Sequence, residues 1–279
     1  MKDSESEQSW YSQVADAYTS QQRKSWYGAV ADAYNRVRPR YSQELVGRVL
    51  ELAQVPQDAV ILEIGCGPGT ATTSFAQLGL EMVCLEPNQE ACQLARLNCA
   101  QYPNVEIKNT SFEEWDLLPQ QFNIVLAATS FHWVSPEIGY PKVINALKDD
   151  GSLILLWNTA LQPQYEVFQI LKEVYQTYAP SLAKYEHRVT QEESIKKFGQ
   201  TVVNSGYFKD LVYEQLVSEL TYSTDDYLAL LSTYSPYIML EPQQRNSLFQ
   251  ALKEVLERNC LGRLSLSYLS AFHIAQKSR

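Results

Sequence analysis

The chain has 279 residues, of which 45% are hydrophobic and 20% charged, so it has enough apolar material for a large folded core. Its net charge of -9 opposes binding to a nucleic-acid backbone. No apolar run approaches the roughly 20 residues that cross a bilayer, and the polar, acidic start is unlike a secretory signal. The five cysteines form no CxxC pair, which favours neither a disulfide framework nor a cysteine-rich zinc site. We therefore expect a globular cytoplasmic protein with no nucleic-acid or membrane partner and no bound metal.

The N-terminal part of the chain contains a short repeat. Ser9–Tyr18 recurs with few changes as Ser25–Tyr34, and both copies have the pattern of an amphipathic helix. Only the second copy continues into a basic stretch, where Pro39 should end its helix. We predict a helical arm and lid over residues 1–41, with the second copy as the functional one, and a single domain over residues 42–279.

From about residue 56, short apolar runs alternate with helical periodicity, the pattern of βαβ units around a mostly parallel sheet. We predict strands at Val60–Ile64, Glu81–Leu85, Val105–Lys108, Asn123–Ala127 and Ser152–Trp157. We predict helices at Thr70–Leu78, Gln89–Gln101 and Pro141–Leu147. Gly79 and Gly151 stand where glycines commonly end helices.

After Trp157 the pattern changes to a tyrosine-rich helical stretch, which we interpret as an insertion at about residues 160–205. Two β-rich runs follow, Leu211–Leu220 and Leu264–Ala275, separated by helical sequence. We expect these two runs to complete the sheet as an antiparallel edge pair. The fold class is therefore a Rossmann-like α/β sandwich of three layers with helical insertions.

The most informative segment is a buried strand that continues into a glycine-rich turn, Gly65-x-Gly67-x-Gly69. Glycines let the backbone turn sharply and let a ligand approach closely. Glu86 ends the next predicted strand, where a carboxylate can hold the two hydroxyls of a ribose.

Charge and glycine spacing separate the two ligand classes that use such a turn. Dinucleotide folds have GxGxxG, whereas the third glycine here comes one residue early. Glu63, just before the turn, would repel a pyrophosphate but can attract the ammonium or sulfonium of S-adenosylmethionine. Between Asp58 and Ser130 there are nine acidic and two basic residues, so this part of the chain suits a cationic ligand and disfavours NAD.

These motifs resemble those of class I S-adenosylmethionine-dependent methyltransferases, and more narrowly the type 11 and trans-aconitate methyltransferase-like group. The similarity covers about residues 26–157 and, more weakly, the tail around Thr233–Pro236. It implies a seven-stranded sheet whose last strand is antiparallel, with the cofactor across the C-terminal ends of the first strands. It also implies S-adenosylmethionine as the cofactor and S-adenosylhomocysteine as the product.

The resemblance also implies a set of cofactor-binding residues. The turn from Glu63 to Gly69, with Gly65, Cys66 and Gly67, corresponds to the family's first motif, which binds the methionine part. Glu86 corresponds to the ribose-binding acid and Pro87 to an adenine neighbour. Phe112 and Glu113 match an adenine-flanking pair, although they also fit a core residue and an exposed acid. Residues 122–134, which include Ala128, correspond to the family's fourth motif, in which the residues after the strand line the cleft near the methyl group.

The second repeat copy and one histidine complete the candidate site. Tyr27, Tyr34 and Arg38 fall near one face of a helix, which fits either a packing stripe or a lid in which Arg38 pairs with the cofactor carboxylate and Tyr34 covers the methyl-bearing end. His132 is a candidate catalytic residue, either as a general base or as an orienting group. Methyl transfer needs mainly positioning, so a dedicated base is not required.

We therefore expect a methyltransferase that acts on a small-molecule acceptor, at a carboxylate or a hydroxyl group. The alternative is a noncatalytic S-adenosylmethionine-binding protein that uses the same pocket for sensing or assembly. Fold class alone does not name the acceptor.

Overall fold

A computed structural model describes residues 27–278, so the first repeat copy lies outside the described residues. The described helices are α1 Ala31–Val37, α2 Gln43–Leu52, α3 Thr72–Ala76, α4 Gln89–Asn98, α5 Pro136–Ala146, α6 Tyr165–Tyr178, α7 Arg188–Asn204, α8 Thr224–Ser232, α9 Ser235–Ile238 and α10 Pro242–Asn259. The strands are β1 Val60–Ile64, β2 Glu81–Leu85, β3 Val105–Lys108, β4 Phe122–Ala128, β5 Leu147–Asn158, β6 Gln162–Pro163, β7 Phe208–Ser223 and β8 Arg263–Lys277.

The strands form one mixed sheet with the order β3-β2-β1-β4-β5-β8, and β7 pairs with the outer side of β8. The first five strands in this order are parallel. β8 runs antiparallel to both β5 and β7, which confirms the predicted antiparallel pair at the end of the chain. The two-residue β6 also pairs with β8, so the sheet has eight strands where seven are expected.

Helices cover both faces of the sheet, as the α/β class requires. α2, α3 and α4 pack on one face through residues such as Val49, Phe75 and Ala95. α5 and α7 pack on the other face, where Val143 and Ile195 are buried against the sheet. The fold is thus the Rossmann-like three-layer sandwich that the sequence predicts.

A third apolar cluster lies beside the extended β7–β8 pair. Helices α6, α8 and α10 meet there around Leu171, Leu230 and Leu252, all of them fully buried. α1 joins this cluster through Val37. Within the expected insertion at residues 160–205, α6 therefore packs in this cluster and α7 on the sheet. The division of the chain at residue 41 and the insertion as a unit stay predictions.

The predicted start of α5 and the predicted role of Gly151 are wrong. α5 begins at Pro136, five residues before the predicted start, because Pro136 takes the first helical turn and Pro141 lies inside the helix. Gly151 does not end a helix but lies within β5, where an added Cβ would come 3.0 Å from the carbonyl oxygen of Asn123. Close packing of β5 on β4 therefore explains this glycine.

In residues 27–278, every helix is too short or too polar to reach across a lipid bilayer. The same residues contain no group of three or more His, Cys, Asp or Glu side chains placed to hold a metal ion.

Candidate active site

A large cavity opens at the C-terminal ends of β1, β4 and β5. β1 lies between β2 and β4, the point at which successive connections leave the sheet in opposite directions and a crevice forms. The cavity has a volume of about 230 Å³, many times the roughly 10–15 Å³ that one water molecule needs, so it has room for a nucleoside-sized ligand. Of the residues predicted to bind the cofactor, ten line it: Tyr34, Arg38, Gly65, Cys66, Gly67, Glu86, Pro87, Phe112, Glu113 and Ala128.

The glycine-rich turn after β1 forms one wall of the cavity. Gly65, Gly67 and Gly69 have φ angles of +65°, +56° and +83°, a region that other residues rarely adopt. An added Cβ at Gly65 would come 2.8 Å from the Cβ of Ser130, whereas at Gly67 it would meet no atom within 4 Å. Gly67 therefore leaves open space in a cavity wall, which is the arrangement expected where a ligand approaches the backbone.

Glu86 is held in place beside this turn. Its side chain is only 8% exposed. One carboxylate oxygen accepts a hydrogen bond from the Gly67 N–H and the other from the Asn88 N–H, both at 2.8 Å. These two backbone hydrogen bonds fix the orientation of the carboxylate at the edge of the cavity. Asn88 in turn caps α4 by accepting from the Ala91 N–H.

The loop after β3 forms the adjacent wall. Phe112 is buried and Glu113 exposed, and both line the cavity. The Lys142 ammonium lies 5.4 Å from the centre of the Phe112 ring and donates to the carbonyl oxygens of Glu113 and Trp115. Lys142 on α5 thus fixes this loop, a role that the sequence did not indicate.

Glu63 and Gly69, which the sequence also predicts at the cofactor, do not line the cavity. Because side chains alternate along β1, Glu63 points to the face covered by α2, α3 and α4 and is fully buried there. Its Oε2 accepts from the Thr72 hydroxyl at 2.6 Å, and its Oε1 has no hydrogen-bond partner among the described residues. The Glu63 carboxylate therefore does not face the cavity, and its direct contact with the ligand stays a prediction that this geometry does not support.

Burial raises the pKa of Glu63 to about 7, from an ordinary value of 4.5. Between these values the unfolded state loses its proton before the folded state does, so the free energy of unfolding falls as the pH rises. At about 1.4 kcal/mol per pH unit, the full cost above pH 7 is on the order of 3 kcal/mol. We expect the Glu63→Gln variant to lack this decrease in the free energy of unfolding, as measured by urea unfolding from pH 5 to pH 8. Glu81→Gln, at the exposed start of β2, is the control, and parallel pH curves for Glu63→Gln and the unchanged protein would contradict the expectation.

The helix of the second repeat copy covers the cavity and joins two parts of the molecule. The Arg38 guanidinium donates to the Thr233 hydroxyl at 2.8 Å and to its carbonyl oxygen at 2.9 Å, and it lies 4.0 Å from the centre of the Tyr234 ring. The hydroxyls of Tyr27 and Ser235 are 3.0 Å apart. The predicted lid is thus held against the turn between α8 and α9, within the tail segment that the resemblance singled out.

His132 lies in a short 3-10 turn after β4 and lines the cavity. Its ring centre is 4.5 Å from that of Trp133 and 5.9 Å from that of Trp157. The Trp157 indole donates to Nδ1 of buried His273 at 3.1 Å, and burial lowers the pKa of His273 to about 4, which keeps it a neutral acceptor. The His132 ring is therefore packed against a fixed aromatic support, which fits either of its two predicted roles.

Several cavity residues were not named individually from the sequence. Thr129 directly follows β4, within the motif whose residues after the strand were expected to line the cleft. Asn158 is the last residue of β5, and the rule that ligands bind beyond the carboxyl ends of parallel strands could have found it. Tyr41, Tyr234 and Ser235 also line the cavity. No local signal marks Tyr41, which depends on a contact with Thr129, 88 residues away along the chain.

Comparison with known proteins agrees with this geometry. Residues 61–151 match the model of a methyltransferase domain family. An uncharacterized methyltransferase from Mycobacterium tuberculosis (strain H37Rv) is 33% identical over 124 residues, which are 44% of this chain and 48% of the relative. The chain thus spans about half the length of the curated relatives it matches.

Solved structures show the same fold. A type II methyltransferase from Anaeromyxobacter dehalogenans has a TM-score of 0.63 at 18% identity, with 86% of this chain and 97% of that chain covered. Phosphoethanolamine N-methyltransferase 2 from Haemonchus contortus, in complex with S-adenosylhomocysteine, has a TM-score of 0.50 at 14% identity, with 95% and 59% covered. These findings support the resemblance to class I methyltransferases, while the trans-aconitate methyltransferase-like group stays a prediction.

Proposed function

We propose that the chain is a class I S-adenosylmethionine-dependent methyltransferase. The observation that carries the proposal is the pairing of the open Gly67 turn with Glu86, whose two oxygens are fixed by backbone N–H groups at the edge of the cavity. This pair offers close backbone approach and a charged acceptor for a ribose, which are the two features that a nucleoside ligand needs. The methyltransferase-domain match over residues 61–151 supports the same conclusion.

The cavity walls fit S-adenosylmethionine part by part. The turn Gly65–Gly67 lies beside the methionine part, and Glu86 accepts from the ribose hydroxyls. Pro87, Phe112 and Glu113 flank the adenine. Arg38, fixed by Thr233, pairs with the cofactor carboxylate, while Tyr34 and Ala128 border the methyl-bearing end. When bound, S-adenosylmethionine supplies an electrophilic methyl group and leaves as S-adenosylhomocysteine.

The acceptor is a small molecule that presents a carboxylate or a hydroxyl group. The lining residues at and beyond the ends of β4 and β5, together with those of the α8–α9 turn, carry hydroxyl, amide, aromatic and aliphatic groups but no carboxylate. Arg38 is the one Lys or Arg side chain among the described lining residues. A protonated amine would therefore meet no opposite charge on this side, whereas a neutral or anionic oxygen would not be repelled.

The chain's own part in the reaction is to position and desolvate the reacting groups. Holding two reactants in line can lower a barrier by about 7 to 11 kcal/mol in well-ordered cases. The lid residues Tyr27 and Tyr34 exclude water from the cavity. Trp133 lines the same cavity, with its ring centre 6.3 Å from that of Tyr27. His132 orients the acceptor oxygen or takes its proton where the acceptor is a hydroxyl.

Ligand-dependent melting tests the proposal. S-adenosylhomocysteine at a hundredfold excess over its dissociation constant should stabilise the chain by about 2.7 kcal/mol and raise the melting temperature by roughly 5–10 °C. NAD should cause no shift, and a shift with NAD alone would overturn the proposal. Release of S-adenosylhomocysteine from S-adenosylmethionine, measured with a panel of carboxylic acids, alcohols and amines, then separates an enzyme from a noncatalytic binding protein.

A further inference from the structure

Thr129, the residue directly after β4, has an unusual backbone. Five non-glycine residues in the described part of the chain have positive φ angles: Gln54, Gln120, Thr129, Asp210 and Leu261. Thr129, at +52°, is the only one of these five that is β-branched and the only one that lines the cavity. A β-branched residue in the left-handed region is strained, and such strain persists only where the surroundings impose it.

Three hydrogen bonds impose this conformation on Thr129. Its N–H donates to the Leu156 carbonyl oxygen at 2.8 Å. Its hydroxyl oxygen lies 3.0 Å from the Tyr41 hydroxyl and accepts from the Asn158 N–H at 3.3 Å. A glycine would adopt the same φ without strain but would lose both hydroxyl contacts. The threonine therefore connects three segments of the chain, at the cost of a strained backbone conformation.

The linked segments are the ones that border the cavity. Tyr41 follows the lid helix α1, and the Asn158 side-chain amide donates to the Pro39 carbonyl oxygen at 3.3 Å. On the other side, the Ser130 hydroxyl donates to the Ile64 carbonyl oxygen, which brings the turn after β4 against the Gly65 turn. Thr129 thus stands between the end of the lid and the glycine-rich turn.

We propose that Thr129 is a positioning residue for ligand binding: its hydroxyl, together with its strained backbone, holds the end of the lid and the Ser130–Trp133 turn in the geometry that the ligand requires. Tyr41 acts through the same contact, and burial raises the pKa of its phenol, which remains protonated. The inference rests on the proposed function, since it is tested by measuring the affinity of the protein for S-adenosylhomocysteine.

Four single variants test the inference, with the dissociation constant from calorimetry and the melting temperature measured for each. Thr129→Val keeps the shape but loses the hydroxyl, and its dissociation constant should rise at least fivefold. Thr129→Gly should show the same rise in dissociation constant. Its melting temperature should stay near that of the unchanged protein, because the glycine relieves the backbone strain. Thr129→Ser keeps the hydroxyl and should bind within twofold. Gln120→Gly, which relieves a positive φ outside the cavity, should leave affinity unchanged.

A double variant checks that Tyr41 and Thr129 act together. Tyr41→Phe should weaken binding about as much as Thr129→Val, and combining the two should add little, because each removes the same contact. The inference is overturned if Thr129→Val binds within twofold of the unchanged protein, or if Thr129→Ser binds as weakly as Thr129→Val. Failure of the unchanged protein to bind S-adenosylhomocysteine would instead overturn the proposed function, and this inference with it.

Discussion

Replacement of Gly67 by valine should abolish binding of S-adenosylhomocysteine, with the dissociation constant raised more than a hundredfold. A Cβ at this position would stand in open space, and the residue lines the cavity, so the two γ-methyl groups would occupy volume that the ligand needs. The backbone φ of +56° adds a second cost, on the order of 1–3 kcal/mol of stability for a side chain forced into this region. Calorimetry and melting curves together measure both effects.

Gly79 provides a matched control for this variant. It has a φ of +78° and no atom within 4 Å of an added Cβ, but it follows α3 and does not line the cavity. Gly79→Val should therefore lose a similar amount of stability and bind S-adenosylhomocysteine normally. If folded Gly67→Val binds within threefold of the unchanged protein, the glycine-rich turn is not part of the ligand site.

The first three strands could be predicted because they are short and closed by turn residues. β1, β2 and β3 have the predicted bounds, since each is a compact run that is followed by a polar or glycine-rich turn. β5 begins five residues before its predicted start, because Lys148, Asp149 and Asp150 make its first part look like a loop. Leu147 nevertheless pairs with Phe122, and that long-range partner is invisible in the local pattern.

In the candidate site, as in the sheet, the features with a local sequence signal could be predicted and those that depend on long-range contacts could not. Glu86 and the Gly65–Gly67 turn could be predicted, because strand ends and glycine spacing are local signals. The burial of Glu63 away from the cavity could not, since it depends on which face of β1 the helices α2, α3 and α4 cover. The hydrogen bonds from Arg38 to Thr233 join residues 195 positions apart. Only the packing of α1 on α8 brings these residues together.

Replacement of Glu86 by alanine should weaken S-adenosylhomocysteine binding at least tenfold. Hydrogen bonds to a charged acceptor contribute roughly 1.5–3 kcal/mol each, and the carboxylate is proposed to accept from both ribose hydroxyls. The variant also leaves the Gly67 and Asn88 N–H groups without their acceptor, which should lower the free energy of unfolding by about 1–3 kcal/mol and loosen the turn. Affinity alone therefore cannot separate a lost ribose contact from a distorted turn.

A ligand that lacks one ribose hydroxyl makes this separation. The unchanged protein should prefer S-adenosylhomocysteine to its 2′-deoxy analogue by tenfold or more, which corresponds to a charged hydrogen bond of about 1.4 kcal/mol or more. Distortion of the turn weakens both ligands alike, so only the loss of a direct contact brings the two dissociation constants together. We expect Glu86→Ala to bind both ligands equally within threefold, whereas Glu81→Ala, at the exposed start of β2, the strand that Glu86 follows, should keep the full preference. A Glu86→Ala protein that still discriminates between the two ligands as the unchanged protein does would show that Glu86 shapes the turn without contacting the ribose.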